Sequence, residues 1–246
     1  MKILGNTQIG LVRSSNQDRF VIKENTELDV YGLIVLDGVG GAQAGDVASS
    51  MIADGFSLAF DALERQHSLQ AYQKWAVKLI SELNLDLYKA SHGNNGFSGM
   101  ATTCIFALLT PFGDFYINIG DSRLYKLDHR QRLVQLSTDH SLVNDLVIKG
   151  ELTIKEAQNH PAKHAVTNAV GIYMKARFDL AEIILPYNML LLCTDGLSGY
   201  VEHEIIEAIL KENISLEEKI EKLNKEVILS GAYDNFTFIL VENRHG

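Results

Sequence analysis

The interpretation of this chain begins from one stretch, Leu33-Ile34-Val35-Leu36-Asp37-Gly38-Val39-Gly40-Gly41. Four consecutive apolar residues lead directly into an aspartate, and a glycine-rich turn follows. Such a run is typical of a buried strand whose end presents a carboxylate where the backbone turns sharply. Glycine has no Cβ and permits backbone conformations that other residues resist. A single Asp-Gly pair is a common turn, so the arrangement gains weight only because the chain repeats it later.

The size and composition are those of a globular protein. The 246 residues are enough for one large domain or two small ones, with 46% hydrophobic and 22% charged residues. The net charge of -9 argues against a nucleic-acid partner, because binding to that backbone relies on Lys and Arg. Surface acidity explains such a charge in most proteins, but clustered carboxylates that hold cations would also produce it.

No targeting or membrane segment is expected. The first residues turn polar at Asn6 without an apolar core, so no signal peptide is predicted. The longest apolar runs are strand-sized, well below the roughly 20 residues of a membrane span. Cys104 and Cys193 both lie in apolar runs, which indicates small buried residues and not a disulfide or a metal pair. We therefore expect a cytoplasmic protein without a membrane span.

The hydrophobic patterns predict many short strands and two helix pairs. Strands are expected at 2–9 (weakly patterned), 19–23, 31–36, 101–109, 115–119, 124–127, 178–185, 189–194 and 236–241. The first helix pair follows the glycine turn, with Asp46 as the cap of one helix and the other beginning near Ser68. The stretch Thr138-Asp139-His140-Ser141 is predicted to form the cap of a helix over 142–149, and the polar stretch 150–171 is predicted to be a mobile excursion from the core.

The second helix pair lies between the last two strands. Its predicted apolar faces consist of Ile205 and Ile209 in one helix and of Leu216, Ile220, Leu223 and Val227 in the other. Strands and helices are thus grouped and do not alternate. This order favours a single α+β domain in which helices cover sheets, over a fold of βαβ units.

Five aspartates lie at the edges of the predicted strands. They are Asp18, Asp37, Asp121, Asp195 and Asp234. Each of them alone reads as an ordinary turn residue. If the strand ends converge, however, five carboxylates with almost no neighbouring cation repel one another, and hard cations such as magnesium or manganese relieve that repulsion.

Two such cations close together support a specific reaction. They activate a water, hold the oxygens of a substrate and stabilise charge in an in-line displacement. Phosphate esters suit this chemistry, because phosphoryl transfer needs mainly positioning and charge neutralisation. Arg13, five residues before Asp18, is the candidate cation that holds the phosphate, since a guanidinium binds phosphate bidentately.

Seven motifs in one fixed order carry a family resemblance. They are Arg13 with Asn16-Gln17-Asp18, Asp37-Gly38-Val39-Gly40-Gly41, Ser98-Gly99-Met100-Ala101-Thr102-Thr103, Gly120-Asp121-Ser122-Arg123, Thr138-Asp139-His140-Ser141, Thr194-Asp195-Gly196 and Asp234-Asn235. The chain resembles a metal-dependent Ser/Thr protein phosphatase of the type 2C (PPM) family, in its compact bacterial form. The resemblance implies a sandwich of two antiparallel β-sheets flanked by pairs of α-helices (four layers, α-β-β-α), with the metals at one end.

The resemblance also assigns roles to the acidic residues. The site would hold two to three divalent cations, manganese or magnesium, and Asp37 would bridge two of them. The ligand set would be completed by the Gly38 carbonyl, Asp195 and Asp234. Asp18 would act mainly through bound water, and Asp121 with Asp195 would form a third cation site.

Further roles concern the substrate and the domain. Arg13 would hold the substrate phosphate, and Asn235 would steady Asp234. The whole chain, 1–246, would form one catalytic domain with a flap segment at about 145–168. The implied reaction is hydrolysis of phosphoserine and phosphothreonine on proteins, in which water activated by the two cations attacks the phosphate. The implied partners are a Ser/Thr kinase and its substrates, and the expected state is a monomer.

Two positions depart from the family pattern. Residue 39 is Val, where many eukaryotic relatives carry a histidine that protonates the leaving group, so the general acid is left unidentified. In the flap segment, residues 160–164 carry Lys and His where relatives often carry Arg and Asn, which bears on substrate preference. His160, and with it His164, is a candidate contact to a phosphopeptide, although loop histidines are more often simply solvated.

Two other functions compete with a protein phosphatase. A catalytically silent binding module on the same scaffold is disfavoured by the intact set Asp18, Asp37, Asp195 and Asp234. A metal-dependent phosphatase of small metabolites could use the same centre. Activity on phosphopeptides, compared with activity on simple phosphate esters, distinguishes these alternatives.

Overall fold

A computed structural model describes residues 1–40, 44–93 and 99–243. Gly41 and Ser98, which belong to two of the motifs, lie outside these ranges. The strands of the described residues are β1 (Lys2–Gln8), β2 (Arg19–Asn25), β3 (Val30–Leu36), β4 (Gly38–Val39), β5 (Ala101–Thr102), β6 (Cys104–Thr110), β7 (Gly113–Ile119), β8 (Arg123–Asp128), β9 (Leu133–Gln135), β10 (Asp179–Ile183), β11 (Tyr187–Cys193) and β12 (Phe236–Glu242). The helices are α1 (Ala44–Asp61), α2 (Leu69–His92), α3 (Leu142–Ile148), α4 (Ile154–Gln158), α5 (Asp195–Ser198), α6 (His203–Lys211) and α7 (Leu216–Leu229).

The strands form two five-stranded antiparallel sheets. One has the order β1-β12-β11-β8-β9 and the other β10-β7-β6-β3-β2, while β4 and β5 form a short separate pair. Helices α1 and α2 pack on the second sheet, and α6 and α7 pack on the first. The expected α+β sandwich with four layers, α-β-β-α, is therefore confirmed.

Strand β3 shows why four apolar residues stand in a row. Leu33 and Val35 belong to the core between the two sheets, whereas Ile34 and Leu36 belong to the core beneath α1 and α2. Successive side chains of a strand point to opposite faces, so a strand covered on both faces needs apolar residues at every position. All four residues are fully buried.

Several local predictions need correction. Asp46 is not the cap of α1, because the helix begins at Ala44 and Asp46 lies in its first turn, where it pairs with Arg19. Ser68 and Ser141 do cap α2 and α3, each accepting a hydrogen bond from a backbone N–H three residues later. Ile205 is 40% exposed, and Ile206 takes the buried position in α6 instead.

Four short elements of the described residues escaped prediction, the first of which is the two-residue strand β4. Strand β9 has three residues and helix α5 has four. Helix α4 lies inside the stretch that was expected to be an irregular excursion, and a capping box between Thr153 and Glu156 defines its start. In the parts of the chain that are described, no helix combines the length and apolar character that a membrane crossing requires.

Lys219 links the two helices of the second pair. Its side chain is only 2% exposed. Its Nζ donates to the carbonyl oxygens of Ile209 at 3.3 Å, Leu210 at 2.7 Å and Glu212, which lie at the C-terminal end of α6. Burial lowers the pKa of Lys219. The carbonyl of Ile209 also accepts from the backbone N–H of Glu212, so the lysine is needed chiefly for the carbonyls of Leu210 and Glu212 at this helix end.

We expect Lys219→Met to destabilise the fold. Methionine fills a similar volume but donates no hydrogen bond, and unsatisfied buried carbonyls cost about 1–3 kcal/mol, offset in part by removal of a buried charge. Thermal unfolding measures the loss, at about 2–4 °C per kcal/mol for a chain of this size. Lys225→Met, at an exposed position of α7, is the matched control and should change little. An unchanged or higher melting temperature for Lys219→Met would contradict the capping role.

Candidate active site

The five aspartates meet at one end of the sandwich. Asp18 immediately precedes β2 and Asp37 immediately follows β3, and these two antiparallel strands pair Arg19 with Leu36 at that end. Asp195 follows β11 and Asp234 precedes β12, which are also antiparallel neighbours. The topology therefore brings these carboxylates to the same end of the two sheets, where the strands begin or finish.

Asp121 joins this group from the turn between β7 and β8. Asp37 interacts electrostatically with Asp18, Asp121, Asp195 and Asp234 alike. The structure thus brings together all five acidic residues that the sequence singled out.

The backbone of Asp37 is fixed by two neighbouring threonines. Its N–H donates to Thr103 Oγ1 at 3.0 Å, and its carbonyl accepts from the N–H of Thr103 at 2.8 Å and from Thr102 Oγ1 at 2.9 Å. Thr103 Oγ1 also bonds Ser122 Oγ at 2.7 Å. Ser122 follows Asp121, so this chain of contacts sets the turn of Asp121 relative to Asp37.

Glycines are required where two backbones approach each other. A Cβ on Gly38 would lie 2.3 Å from the carbonyl oxygen of Gly45, and a Cβ on Gly45 would lie 2.6 Å from that of Gly38. A Cβ on Gly196 would lie 1.8 Å from the carbonyl oxygen of Asn235. The glycines that follow Asp37 and Asp195 therefore allow the close contacts that bring the acidic turns together.

Asn235 connects the N-terminal loop to the site. Its Nδ2 donates to the carbonyl oxygens of Ile9 at 2.8 Å and Ser15 at 3.0 Å, and its Oδ1 accepts from the N–H of Gln17 at 2.9 Å. Its own N–H donates to Asp234 Oδ1 at 2.8 Å. One side chain therefore positions the loop that carries Arg13 and Asp18, while its backbone orients Asp234.

Arg13 lies beside the carboxylates and is accessible. Its guanidinium donates to Asp234 Oδ2 at 2.7 Å, and its side chain is 53% exposed. The hydrogen bond that Arg13 donates to Asp234 is the main reason that the pKa of Arg13 is raised above its ordinary value. A cation is thus held at the rim of the acidic cluster.

Burial and the charge of neighbouring carboxylates make Asp18, Asp37 and Asp121 hard to ionise. Burial raises the pKa of Asp18 to about 7, with a contribution from the charge of Asp195, although the hydroxyl of Thr194 donates to Asp18 Oδ2 at 2.9 Å and opposes the shift. Burial and then the charge of Asp195 likewise raise the pKa of Asp121 to about 7. Burial first, and then the charge of the neighbouring carboxylates, raises the pKa of Asp37 well above its ordinary value.

The flap segment approaches the site through His164. Its Nδ1 lies 3.2 Å from Asp195 Oδ2, and its ring stacks on Tyr200 with centroids 6.3 Å apart. The hydrogen bond that His164 makes to the carboxylate of Asp195 is the main cause that raises the pKa of His164. Sequence reasoning mentioned His164 only as a possible substrate contact and missed Tyr200, which no motif contains.

His160, the predicted substrate contact, is placed differently. It is half-buried, and its hydrogen-bond partners in the described structure are Ala157, Ala162 and Lys163, all within the flap segment. His164 is therefore the histidine that the fold brings to the carboxylates. The role of His160 in substrate binding stays a prediction.

A cleft of about 980 Å³ extends from the carboxylates beneath the flap segment. Asp121 and Asp195 line it together with residues of α3 and α6. Its apolar lining includes Val143, Val147, Ala157, Val201 and Ile206. A volume of this size is typical of a ligand site.

The donor set fits hard divalent cations. It consists of carboxylate oxygens with too few neighbouring cations to balance them, since Arg123 is engaged by Asp139. Across residues 1–40, 44–93 and 99–243, no three His, Cys, Asp or Glu side chains converge closely enough to hold an ion by themselves. Backbone carbonyls, such as that of Gly38, and water would have to complete the coordination.

Comparisons with known proteins point to one family. The family model described as "Protein phosphatase 2C" matches residues 12–227. The chain is 35% identical over 239 residues to the "Serine/threonine phosphatase stp" of Listeria monocytogenes serotype 4b, covering 96% of this chain and 93% of that protein. It is 31% identical over 243 residues to the "Protein phosphatase PhpP" of Streptococcus pneumoniae serotype 2, covering 98% of this chain and 97% of that one.

Solved structures agree with these relatives. The serine/threonine phosphatase of Staphylococcus aureus superposes with a TM-score of 0.92 at 31% identity, covering 99% of this chain and 95% of that one. The serine/threonine phosphatase PstP/Ppp of Mycobacterium tuberculosis superposes with a TM-score of 0.86 at 27% identity, covering 99% of both chains.

We expect Asp37→Asn to separate stability from cation binding. Without divalent cations the variant should melt higher than wild type, because one of several repelling buried charges is removed. Saturating Mn²⁺ at about 100 times its Kd stabilises a protein by about 2.7 kcal/mol. Wild type should therefore gain roughly 5–10 °C, at 2–4 °C per kcal/mol, and the variant much less.

Differential scanning fluorimetry with and without Mn²⁺ measures both effects. Asp54→Asn, at an exposed position of α1, is the matched control and should behave like wild type. The same Mn²⁺-dependent gain in wild type and Asp37→Asn would show that Asp37 does not contribute to cation binding.

Proposed function

The chain belongs to the protein phosphatase 2C family and is a serine/threonine protein phosphatase, and from this premise we propose a metal-dependent mechanism centred on Asp37. The observation that carries the proposal is the convergence of five aspartates beside one accessible arginine. Phosphoserine and phosphothreonine side chains on proteins are the proposed substrates.

The carboxylates would hold the cations. Asp37 would bridge two ions, and the Gly38 carbonyl, Asp195 and Asp234 would be the other protein ligands. Asp18 would orient water at the same centre, and Asp121 with Asp195 would hold a third ion. Manganese or magnesium ions bound there would supply Lewis acidity and a nucleophilic water for in-line attack on phosphorus.

Arg13 would bind the phosphate of the substrate. Its guanidinium lies 2.7 Å from Asp234 and is about half exposed, so it can reach an incoming phosphate while it stays close to the carboxylates. Two parallel N–H donors would fix the phosphate in one orientation and balance part of its charge. The attacking water and the leaving group would thereby be aligned.

The leaving alkoxide also needs a proton. Val39 lies in β4 next to Gly38 and offers no donor. We propose that water delivers this proton, because Gly38, Val39 and Gly40, which follow Asp37, have no side chain that can give one. In this proposal, no side chain of the protein acts as the general acid.

The remaining features of the proposal concern the setting. Residues 1–246 would act as one catalytic domain, with the flap segment forming one wall of the substrate cleft. A Ser/Thr kinase and its phosphorylated targets would be the partners of the phosphatase. The cytoplasmic location and the monomeric state stay predictions from the sequence.

We expect phosphate release from a phosphothreonine peptide to depend on Mn²⁺ and on Asp37. Asp37→Ala should lower kcat at least about 100-fold, because it removes the carboxylate shared by both ions. Phosphate release is measured with the peptide and with p-nitrophenyl phosphate in parallel. Activity on the aryl phosphate alone would favour a phosphatase of small metabolites. If neither substrate were hydrolysed in a Mn²⁺-dependent way, the proposed mechanism would be wrong.

We expect Arg13→Ala to act mainly on substrate binding. Losing a bidentate charge-assisted contact should raise KM for the peptide about 10-fold or more with a smaller change in kcat. Arg13→Lys should recover only part of the loss, since a lysine cannot bind bidentately. Arg65→Ala, whose side chain bonds the carbonyl of Glu27 far from the carboxylates in sequence and fold, is the control. Unchanged KM in Arg13→Ala would rule out the phosphate-binding role.

A further inference from the structure

His140 lies at the point where the chain leaves the sandwich for the flap segment. Its side chain is only 17% exposed. The ring contacts three separate parts of the fold: Nδ1 accepts from the backbone N–H of Gly120 at 3.2 Å and from Asn168 Nδ2 at 2.9 Å, and Nε2 bonds Asp179 Oδ2 at 3.0 Å. The mechanism proposed above does not use this residue.

The contacts fix the protonation pattern of the ring. A backbone N–H can only donate, so Nδ1 must carry a lone pair towards Gly120. The ring proton is therefore on Nε2, from which it is donated to Asp179. The amide of Asn168 must present its NH₂ group to the ring, and the same group donates to the carbonyl oxygen of Arg177 at 3.0 Å.

The backbone of His140 joins the two ends of the flap segment, which are called here the outgoing root (residues 139–141) and the returning root (residues 166–168). Its carbonyl accepts from the N–H of Thr167 at 2.8 Å, and Ser141 forms an antiparallel bridge with Val166. The outgoing and the returning chain are thus paired at this residue. Asn168, on the returning root, adds its side chain to the same ring.

The outgoing root also holds both sides of Asp121. His140 N–H donates to the carbonyl oxygen of Gly120 at 2.9 Å, while the ring accepts from its N–H, so the residue before Asp121 is bonded in both directions. On the other side, Asp139 accepts three hydrogen bonds of 2.7–3.0 Å from Arg123. Asp139 and His140 therefore hold the turn that presents the Asp121 carboxylate from both sides.

We propose that His140 is a positioning residue that couples the flap segment to Asp121. Its ring holds the turn before Asp121 and the returning root of the flap segment in one arrangement, so that each restricts the other. The consequence for catalysis rests on the proposed function, in which Asp121 is a ligand of a cation. The contacts of Asp139 and His140 with this turn do not depend on the proposed function, because they are hydrogen bonds of the structure itself.

Two substitutions separate the two nitrogens of the ring. Asparagine can place an amide oxygen near the position of Nδ1, so His140→Asn keeps an acceptor for Gly120 and Asn168 and loses the bond to Asp179. Glutamine reaches the position of Nε2, so His140→Gln keeps a donor for Asp179 and loses the acceptor at Nδ1. Asp179 is 53% exposed, so its bond contributes little.

We expect His140→Gln to uncouple the flap segment and Asp121, and His140→Asn to stay close to wild type. In calorimetric titration with Mn²⁺ alone, the weakest site of His140→Gln should lose about 10-fold or more in affinity, as partners of metal ligands commonly do. Trypsin should also cleave faster at Lys149, Lys155 and Lys163, which are exposed in the flap segment. Both measurements are made well below the melting temperature.

Asp179→Asn is the matched control, because it alters only the Nε2 side of the ring and should behave like His140→Asn. Equal Mn²⁺ affinity and equal flap cleavage in His140→Gln and His140→Asn would overturn the proposal, even if both variants melted lower. If wild type bound no Mn²⁺, the proposed function would fail, whereas the cleavage rates would still decide whether His140 fastens the flap segment.

Discussion

The central constraint on this fold is the crowding of carboxylates at one end of the sandwich. Burial and mutual repulsion raise the pKa of Asp18 and of Asp121 to about 7, and they raise that of Asp37 well above its ordinary value. Such groups weaken the fold at neutral pH unless a countercharge is present. Arg13 supplies part of it at Asp234, and the remainder is the charge that divalent cations would bring.

The surrounding hydrogen bonds explain how the fold tolerates this repulsion. The hydroxyl of Thr194 donates to Asp18 and thereby links an acidic turn of one sheet to that of the other. Thr103 binds the backbone of Asp37 and the side chain of Ser122, and Asn235 fastens the N-terminal loop. Apart from the bond of Thr194 to Asp18 Oδ2, these contacts hold backbone groups and hydroxyls and leave the carboxylate oxygens open, so the acidic turns are fixed without the carboxylates being neutralised.

The sequence predicted what depends on long patterns and on chemistry repeated along the chain. The buried strand β3 and the acidic strand ends are of this kind, and so are the start of α2 near Ser68 and the cap of α3 within residues 138–141. It missed β9, α4 and α5, because elements of three to five residues carry no period that can be recognised. Asp46 was misplaced because it pairs with Arg19, a tertiary contact that local propensity does not contain. The proximity of His164 to Asp195 depends on how the flap segment folds back, which no local pattern specifies.

The flap segment and the acidic centre share their supports. His140 and Asp139 hold the turn of Asp121 from the outgoing root, and His164 reaches Asp195 from the segment itself. Two carboxylates of the centre are thus connected to one peripheral segment by independent contacts. A peptide lying in the cleft between α3 and α6 would press on the same segment. The architecture therefore gives substrate contacts a short physical route to the carboxylates, through packed and hydrogen-bonded groups with defined partners.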